Sequence, residues 1–346
     1  TLLPESQLAI ARTHVMDGSW VSSIIEYDRW VTNYPAHPAL PQAEFDRAWL
    51  NHQAGNRARA FQLFTNYVVR FPTNPLAPVA QKWIADHQFQ SGKFAEAEQG
   101  YRRLFENTNL LANARGLEWE ARLNAGRSAF FRQEHAAAEL LLASVINATN
   151  APVAEQARAE FFLGDVAADQ TQRMPTNLLD ALPHYQRVAN EMIGSPLHSL
   201  AWGRVGDCYL QLGNLGQASA AYRAVTELPG TDVTTRSQAG LGLARVLEEQ
   251  SELAGETEER EELLQQSFVQ CMDIVFGRNL RPASEKMDPF WVKEAGLMAG
   301  HLAGRLGLAE QERSVYSRLA KELPDMPLWQ AKLNALQTGP EAPKAP

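Results

Sequence analysis

Cysteine is scarce in this sequence. The 346 residues include only two cysteines, Cys208 and Cys271, and no C-x-x-C pair. Disulfides therefore do not hold the fold together, and no cysteine-based metal site is indicated. Both cysteines fall in predicted helices of different repeats, where small, half-buried core positions are expected.

Long apolar runs and an excess of positive charge are also missing. No stretch approaches the roughly 20 consecutive apolar residues that a transmembrane helix requires. The 32 lysines and arginines are outnumbered by 40 aspartates and glutamates, so the net charge is −8. That balance argues against an extended nucleic-acid-binding surface. No segment shows sustained period-2 alternation, so no β-strand is predicted.

Common catalytic and cofactor motifs are absent. The sequence contains no G-x-S-x-G, no Walker sequence and no H-E-x-x-H. The eight histidines are scattered without an H-x3-H pair, and no acidic cluster has metal-ligand spacing. Gly240-Leu-Gly242 has the start of a phosphate loop, but it lies in a predicted helix and follows no strand. The sequence therefore predicts a protein that is not an enzyme and that uses no cofactor and no metal.

What the sequence does contain is a well-formed helix–turn–helix at residues 201–229. Trp202, Gly206 and Tyr209 are spaced four and three apart and so share one helical face. A glycine then provides a tight turn, and a second helix repeats small and aromatic positions at the same spacings. Pro229 ends the second helix, because proline cannot continue it.

The same order of turn glycine, small residue and aromatic residue recurs along the chain. Gly18, Gly55 and Gly92 are spaced by 37 residues each time. One helix pair cannot bury its apolar face alone, so this period predicts units that stack and bury each other's faces. The predicted units lie near residues 4–35, 41–72, 78–109, 119–150, 157–196, 199–229, 235–279 and 291–324, with a capping helix at 327–337 and a disordered tail at 338–346.

These residues resemble the tetratricopeptide family. Its pattern W-x2-L-G-x2-Y…A-x3-F…P is matched from Trp202 to Pro229, with Val205 in the leucine position. The resemblance covers about residues 4–324. It implies an all-α, right-handed α-solenoid of about eight helix pairs plus a C-terminal capping helix, in a single array over residues 1–337. It also implies a concave face lined by the first helix of each pair, and a non-catalytic scaffold or adaptor that binds other proteins.

Two segments, residues 33–40 and 66–105, carry a more specific resemblance. In both, a helix ends in an aromatic-proline pair, followed by polar residues and another proline. This is similar to bacterial cell-envelope proteins, such as the outer-membrane assembly lipoproteins of the β-barrel machinery and the periplasmic coordinator of the Tol-Pal system. The resemblance implies a bacterial periplasm or envelope location, with the cytoplasm as the alternative. The sequence begins with Thr1 and not with methionine, which is compatible with a removed signal peptide or with a lipid anchor upstream of residue 1.

Partner binding is expected on the predicted concave face. Aromatic side chains with interspersed charges suit a groove that holds an extended or helical peptide. Trp49, Phe89 and Phe131 could equally belong to the core between helices. Chaperone-binding members of the family clamp a peptide carboxylate with lysine and asparagine, but here Lys82 is followed one turn later by Asp86, so that ligand is disfavoured. The candidate contact residues are Arg12, Trp49, His52, Lys82, Asp86, Phe89, Gln90, Arg127, Phe131, Asp165, Asp207 and Gln211.

Two alternatives remain open from the sequence. Residues 248–262 contain eight glutamates interrupted by Arg260. One alternative is a structural subunit of a larger assembly, contacted through its outer surface or through this acidic extension; otherwise the extension is a solvated prolongation of two helices. The other alternative is an enzyme on an α/α scaffold, for which Asp165 and Asp207 would be the paired carboxylates. Neither the partner nor the oligomeric state follows from the sequence.

Overall fold

The computed structural model describes residues 3–107, 110, 112–113, 116–169, 178–281 and 284–338. Over these residues the chain forms 17 helices and no β-strand. The helices are α1 (Pro4–Met16), α2 (Trp20–Asn33), α3 (Leu40–Gln53), α4 (Arg57–Arg70), α5 (Ala77–Gln90), α6 (Phe94–Glu106), α7 (Leu117–Phe131), α8 (His135–Ile146), α9 (Val153–Asp169), α10 (Leu178–Glu191), α11 (His198–Gln211), α12 (Leu215–Glu227), α13 (Val233–Leu253), α14 (Thr257–Val275), α15 (Pro289–Arg305), α16 (Ala309–Glu322) and α17 (Pro327–Thr338).

The helices follow one another as pairs joined by short turns. α1 and α2 pack against each other, as do α3 and α4, α5 and α6, α7 and α8, α11 and α12, α13 and α14, and α15 and α16. Turns of about three residues force each pair to be antiparallel. The prediction of an all-α fold built from consecutive helix pairs, as in an α-solenoid, is confirmed.

The chain divides into two compact units, Thr1–Val166 and Ala167–Pro346. The first unit contains α1 to α8 and most of α9, and the second contains α10 to α17. A single array over residues 1–337 stays a prediction. Of the predicted disordered tail at 338–346, Thr338 is the last residue of α17, and the remaining residues lie outside the described ones.

The tight turns depend on a left-handed backbone conformation. Gly18, Gly55 and Gly92 have φ angles of 70°, 81° and 72°, a region that a residue with a Cβ enters only at a cost. In the fourth pair the glycine is missing and Gln133 takes the same conformation, with φ of 63°. The geometry of the turn is therefore kept where the turn residue has changed.

Within a helix pair, a large side chain of the second helix packs over a small residue of the first helix. Ala48 and Phe64 lie in one buried cluster, and Ala85 and Tyr101 lie in another, each of the four at most 2% exposed. Gly126 follows the same rule, since a Cβ added there would lie only 2.9 Å from Cγ of Leu142. Small residues at the crossing points allow the two helices of a pair to approach closely.

The second unit contains the two longest helices of the described chain. α13 has 21 residues and α14 has 19, and the acidic extension occupies the ends that face their three-residue connection, Ala254–Glu256. α17 follows the last pair and buries Trp329 completely in the cluster that contains Leu302 and Leu319. Among the described helices, none has both the length and the apolarity needed to cross a membrane.

Candidate functional site

The twelve candidate contact residues all lie on first helices of the pairs. Two of them, Asp207 and Gln211, are on α11 in the second unit. The other ten are in the first unit: Arg12 on α1, Trp49 and His52 on α3, Lys82, Asp86, Phe89 and Gln90 on α5, Arg127 and Phe131 on α7, and Asp165 on α9.

Three of the ten line one small cavity between α7 and α9. Arg127, Phe131 and Asp165 contribute to its wall, and its volume is about 100 Å³. The remaining lining residues are Phe130, Leu142, Phe162 and Val166. We call this cavity, defined by these seven residues, the aromatic socket. It has space for a single apolar side chain.

The rim of the aromatic socket is a group of three phenylalanine rings. Phe131 stacks on Phe94 of α6, with ring centroids 5.0 Å apart and an interplanar angle of 16°. Phe89 meets Phe131 edge-on at 5.5 Å and Phe94 at 5.3 Å. Phe131 nevertheless remains 48% exposed. A ring held by two neighbours and still half-exposed offers a partner apolar area in a fixed geometry.

Arg127 provides the positive charge of the aromatic socket. Its guanidinium carbon lies 4.8 Å from the ring centroid of Phe162 and 5.2 Å from that of Phe89. Nη1 donates to Oδ1 of Asn124 at 3.3 Å, whereas Nε is buried without a hydrogen-bond partner. Burial, reinforced by the charge of Arg158, lowers the pKa of Arg127. The socket thus combines a partly desolvated cation with aromatic faces.

A second aromatic group lies between α3 and α5. Trp49 is parallel to Phe45 at 6.5 Å between ring centroids, and it meets His52 at 5.4 Å. His52 in turn contacts Trp83 at 5.2 Å. Trp49 is 39% exposed. We call Phe45, Trp49, His52 and Trp83 the tryptophan patch; like the socket rim, it has one partly exposed ring supported by others.

Lys82 and Asp86 form an internal ion pair. Nζ of Lys82 lies 2.9 Å from Asp86 and 3.1 Å from Glu120 of α7. Burial alone would lower the pKa of Lys82, but these two carboxylates raise it above its ordinary value. Because Lys82 already has two carboxylate partners, it is poorly placed to clamp the terminal carboxylate of a peptide.

Asp207 is also held internally. Its carboxylate accepts a 2.7 Å hydrogen bond from the hydroxyl of Tyr222 and lies 3.7 Å from Arg204. Asp207 is one of the twelve contact candidates, and this geometry gives its carboxylate a structural role in the helix pair. Arg12, Gln90 and Gln211 are exposed.

Buried tyrosine hydroxyls donate to carboxylates in both units. The hydroxyl of Tyr101 donates to Asp86 at 2.7 Å, the distance also found for Tyr222 and Asp207. Burial, reinforced by the adjacent carboxylate, raises the pKa of both tyrosines above the usual value of 10.0. The same causes raise the pKa of Tyr27 to about 12. The native chain therefore retains tyrosine protons that the unfolded chain loses.

We expect the free energy of unfolding to fall as the pH rises above 10. In that range unfolding releases tyrosine protons, so each retained proton contributes a slope of about 1.4 kcal/mol per pH unit. Tyr101→Phe should reduce this slope by the contribution of one retained proton, about 1.4 kcal/mol per pH unit. Urea unfolding followed by circular dichroism between about pH 8 and pH 11.5 measures both slopes. Identical slopes for the two proteins would contradict the assignment.

Several side chains that complete these sites were not predicted. Phe94 belongs to a second helix, Trp83 directly follows the candidate Lys82, and Phe162 lies three residues before the candidate Asp165. Counting from the turn glycines selects one stripe of the first helix and cannot select rings that reach it from a neighbour.

Among the described residues, no group of three histidine, cysteine, aspartate or glutamate side chains is placed to hold a metal ion.

By sequence, no protein-family model and no curated protein matches this chain. By structure, it is similar to the C-terminal part of a TPR repeat-containing protein from Cytophaga hutchinsonii, with a TM-score of 0.55 and 11% identity over 84% of this chain and 99% of that one. It is also similar to a tetratricopeptide repeat protein from Parabacteroides merdae, with a TM-score of 0.50 and 14% identity over 86% of this chain and 98% of that one.

A third similar structure is a signal transduction ATPase with numerous domains from Pyrococcus horikoshii, which has a tetratricopeptide repeat sensor. The TM-score is 0.55 at 12% identity, and the match covers 97% of this chain but 50% of that protein. At these identities the likeness concerns the fold. The chain therefore has a fold like that of tetratricopeptide-repeat proteins.

Proposed function

We propose that this chain is a non-catalytic scaffold that binds a segment of a partner protein through the first helices of its first unit. The observation that carries the proposal is the pair of partly exposed rings, Trp49 at 39% and Phe131 at 48%. Each lies on a first helix and is supported by other aromatic rings. Half-exposed aromatics fixed in this way are typical anchors of protein interfaces.

The fixed geometry of the two sites favours binding of a flexible segment. The rings of the aromatic socket and the tryptophan patch are held by their neighbours, so little side-chain freedom is lost when a partner is bound. The socket would receive an apolar side chain of the partner, while the tryptophan patch would cover a second apolar residue. The charges around them, including Arg127, would orient the segment.

Peptide selection tests this proposal. Short random peptides selected on the intact chain should bind it with an affinity that Trp49→Ala and Phe131→Ala each lower by on the order of tenfold. Leu140→Ala is the matched control, because Leu140 is 74% exposed on α8 of the same unit and belongs to neither site. Fluorescence anisotropy gives the dissociation constants, and circular dichroism verifies that each variant is folded. Equal affinities for all four proteins would rule the sites out.

The acidic extension supports a second candidate function, in which the chain is a structural subunit that its partners contact through this extension. Glu248 and Glu252 pair with Arg305, but the glutamates at 249, 256, 258, 259, 261 and 262 are exposed, and Leu253 beside them is 78% exposed. Changing those six glutamates to glutamine should leave the selected peptides bound if the first helices are the site. Loss of binding in that variant alone would instead favour the acidic extension.

We also propose that the chain works in a bacterial envelope complex. The support is the sequence resemblance in residues 33–40 and 66–105, where helices end in aromatic-proline pairs. Fractionation of the source cells tests this, because a periplasmic or membrane-associated pool of the native protein is expected. Recovery of the protein solely from the cytoplasm would contradict it.

A further inference from the structure

A second surface of the first unit lies apart from the aromatic socket and the tryptophan patch. It is an open groove of about 400 Å³ whose walls are α4 and α6 and whose floor is α5. We call it the second-helix groove. Its lining residues are Phe61, Thr65, Val68, Val69, Pro72, Gln81, Ile84, Gln88, Glu96, Gln99, Gly100, Arg103, Asn107 and Leu110. A volume of this size is within the roughly 300–1,000 Å³ of binding sites.

Each wall of the second-helix groove is a continuous stripe of one helix. On α4 the stripe consists of Phe61, Thr65, Val68 and Val69, at spacings of four, three and one residues, and Pro72 continues it just beyond the end of the helix. It is mostly apolar, and Val69 is 79% exposed. At about 1.5 Å per residue, the helical part of this stripe, from Phe61 to Val69, is roughly 12 Å long, and Pro72 lengthens it further. That length matches about three turns of an α-helix lying along the groove.

The floor and the opposite wall explain why the groove is open. Gly100 of α6 lets this helix approach α5 closely, since a Cβ there would lie 2.9 Å from Cβ of Ala85. Gln81, which is 3% exposed, closes the floor by donating to the carbonyl of Gly100 at 3.1 Å. A side chain at position 100 would clash with α5, so this position contributes only backbone to the lining of the groove.

Two opposite charges stand at the ends of the α6 wall. Glu96 and Arg103 are both exposed and lie seven residues apart, or two helical turns. Within the described residues, neither side chain has an ion-pair partner. Other charged side chains of the same helix are paired: Arg102 contacts both Glu98 and Glu106. An occupant of the groove would find an acidic site and a basic site separated by apolar surface.

The walls favour a helical occupant over an extended one. α4 and α6 satisfy their backbone hydrogen bonds internally, so they offer an extended strand no main-chain partners. The hydroxyl of Thr65 is already bonded to the carbonyl of Phe61 at 2.8 Å. A helix satisfies its own backbone and needs only an apolar stripe with suitable charges.

We propose that the second-helix groove binds an amphipathic α-helix of a partner protein. This helix has about three turns, an apolar stripe against Phe61, Val68 and Ile84, and one basic and one acidic residue two turns apart. The basic residue faces Glu96 and the acidic residue faces Arg103. The proposal does not depend on binding at the first helices.

Two synthetic helical peptides test the proposal with the intact chain. Both are alanine-based with leucines on one stripe; one carries lysine and glutamate seven residues apart, and the other carries lysine at both positions. The native chain should bind the lysine–glutamate peptide on the order of tenfold more tightly. Arg103→Glu should reverse this preference. Arg59→Glu, the same charge change at a position outside the groove, should leave the preference as it is.

Val69→Asp should weaken binding of the lysine–glutamate peptide on the order of tenfold without affecting folding, because Val69 is 79% exposed. The proposal is overturned if the native chain does not prefer the lysine–glutamate peptide, if Arg103→Glu leaves the preference unchanged, or if Val69→Asp binds normally. Sedimentation equilibrium adds one further outcome. If the native chain is a dimer that Val69→Asp converts to a monomer, the occupant is a second copy, and a partner helix is excluded.

Discussion

Gly206→Ala is expected to lower the free energy of unfolding by about 1–3 kcal/mol, the usual cost of overpacking a filled core site. A Cβ on Gly206 would lie 2.6 Å from Cε1 of Tyr222, closer than real side chains approach. Gly203, three residues earlier on the same helix, is the matched control because nothing lies within 4 Å of its added Cβ. Gly203→Ala should raise the stability by up to about 1 kcal/mol through helix propensity.

The effect should be large because glycines hold the ring of Tyr222 from two sides. Gly206 belongs to α11 of the same pair, and Gly242 belongs to α13 of the next pair. A Cβ on Gly242 would lie 2.5 Å from Cζ of Tyr222, which is 1% exposed. Gly242→Ala should therefore destabilise the chain in the same direction. The tyrosine fills the space between two successive helix pairs, and neither pair leaves room for an extra methyl group.

A double-mutant cycle separates this steric cause from a change in helix propensity. In a Tyr222→Leu background the smaller side chain leaves space, so Gly206→Ala should cost less than it does in the native chain. Urea unfolding of the four proteins gives the coupling free energy. If Gly206→Ala costs the same in both backgrounds, the contact with Tyr222 is not its cause.

Residues 201–229 show how much of the fold could be predicted from the sequence. The spacing of Trp202, Gly206 and Tyr209 predicts a helical face, and the period of 37 residues predicts stacked pairs. Both predictions follow from local helix geometry, which the order of residue types determines. That Gly242 packs on the same ring as Gly206 depends on how two pairs approach each other, and no spacing within one pair contains that information.

The candidate site was less accessible to prediction, for a physical reason. Helical periodicity gives the side of a helix on which a residue lies, so Trp49 and Phe131 could be placed on first helices. Their exposed fractions, 39% and 48%, depend on rings that come from other helices, such as Phe94 for Phe131. Asp207 was placed on the expected helix as well, but its hydrogen bond with Tyr222 arises only when the pair closes.

Trp329→Ala is expected to produce the largest loss of stability, about 3–5 kcal/mol, as full truncation of a buried aromatic side chain does. Trp329 is 0% exposed and joins α17 to the cluster of Leu302 and Leu319. The last pair of a repeat stack requires a helix that covers its apolar end. Without the indole, α17 loses its main anchor, and the ends of α15 and α16 that it covers become exposed to water.

The neighbouring leucine gives the control. Leu328 is 46% exposed on the same helix, so Leu328→Ala should change the stability by no more than about 0.5 kcal/mol. Trp329→Phe is a graded variant: it retains an aromatic ring and removes the indole Nε1, which is buried without a hydrogen-bond partner. Its cost should therefore be well below that of Trp329→Ala, because removing an unsatisfied buried donor offsets part of the lost packing.

Hydrogen exchange locates the effect along the chain. In Trp329→Ala the amides of α17 should lose protection first, followed by those of α15 and α16, while the helices of the first unit keep theirs. This order follows from α17 being anchored at one end of the second unit by one ring. If α17 keeps its protection in Trp329→Ala, Leu333 and Leu336, which also pack against that cluster, are sufficient to hold the helix. The capping role would then belong to the whole apolar stripe of α17, and Trp329 would not be its anchor.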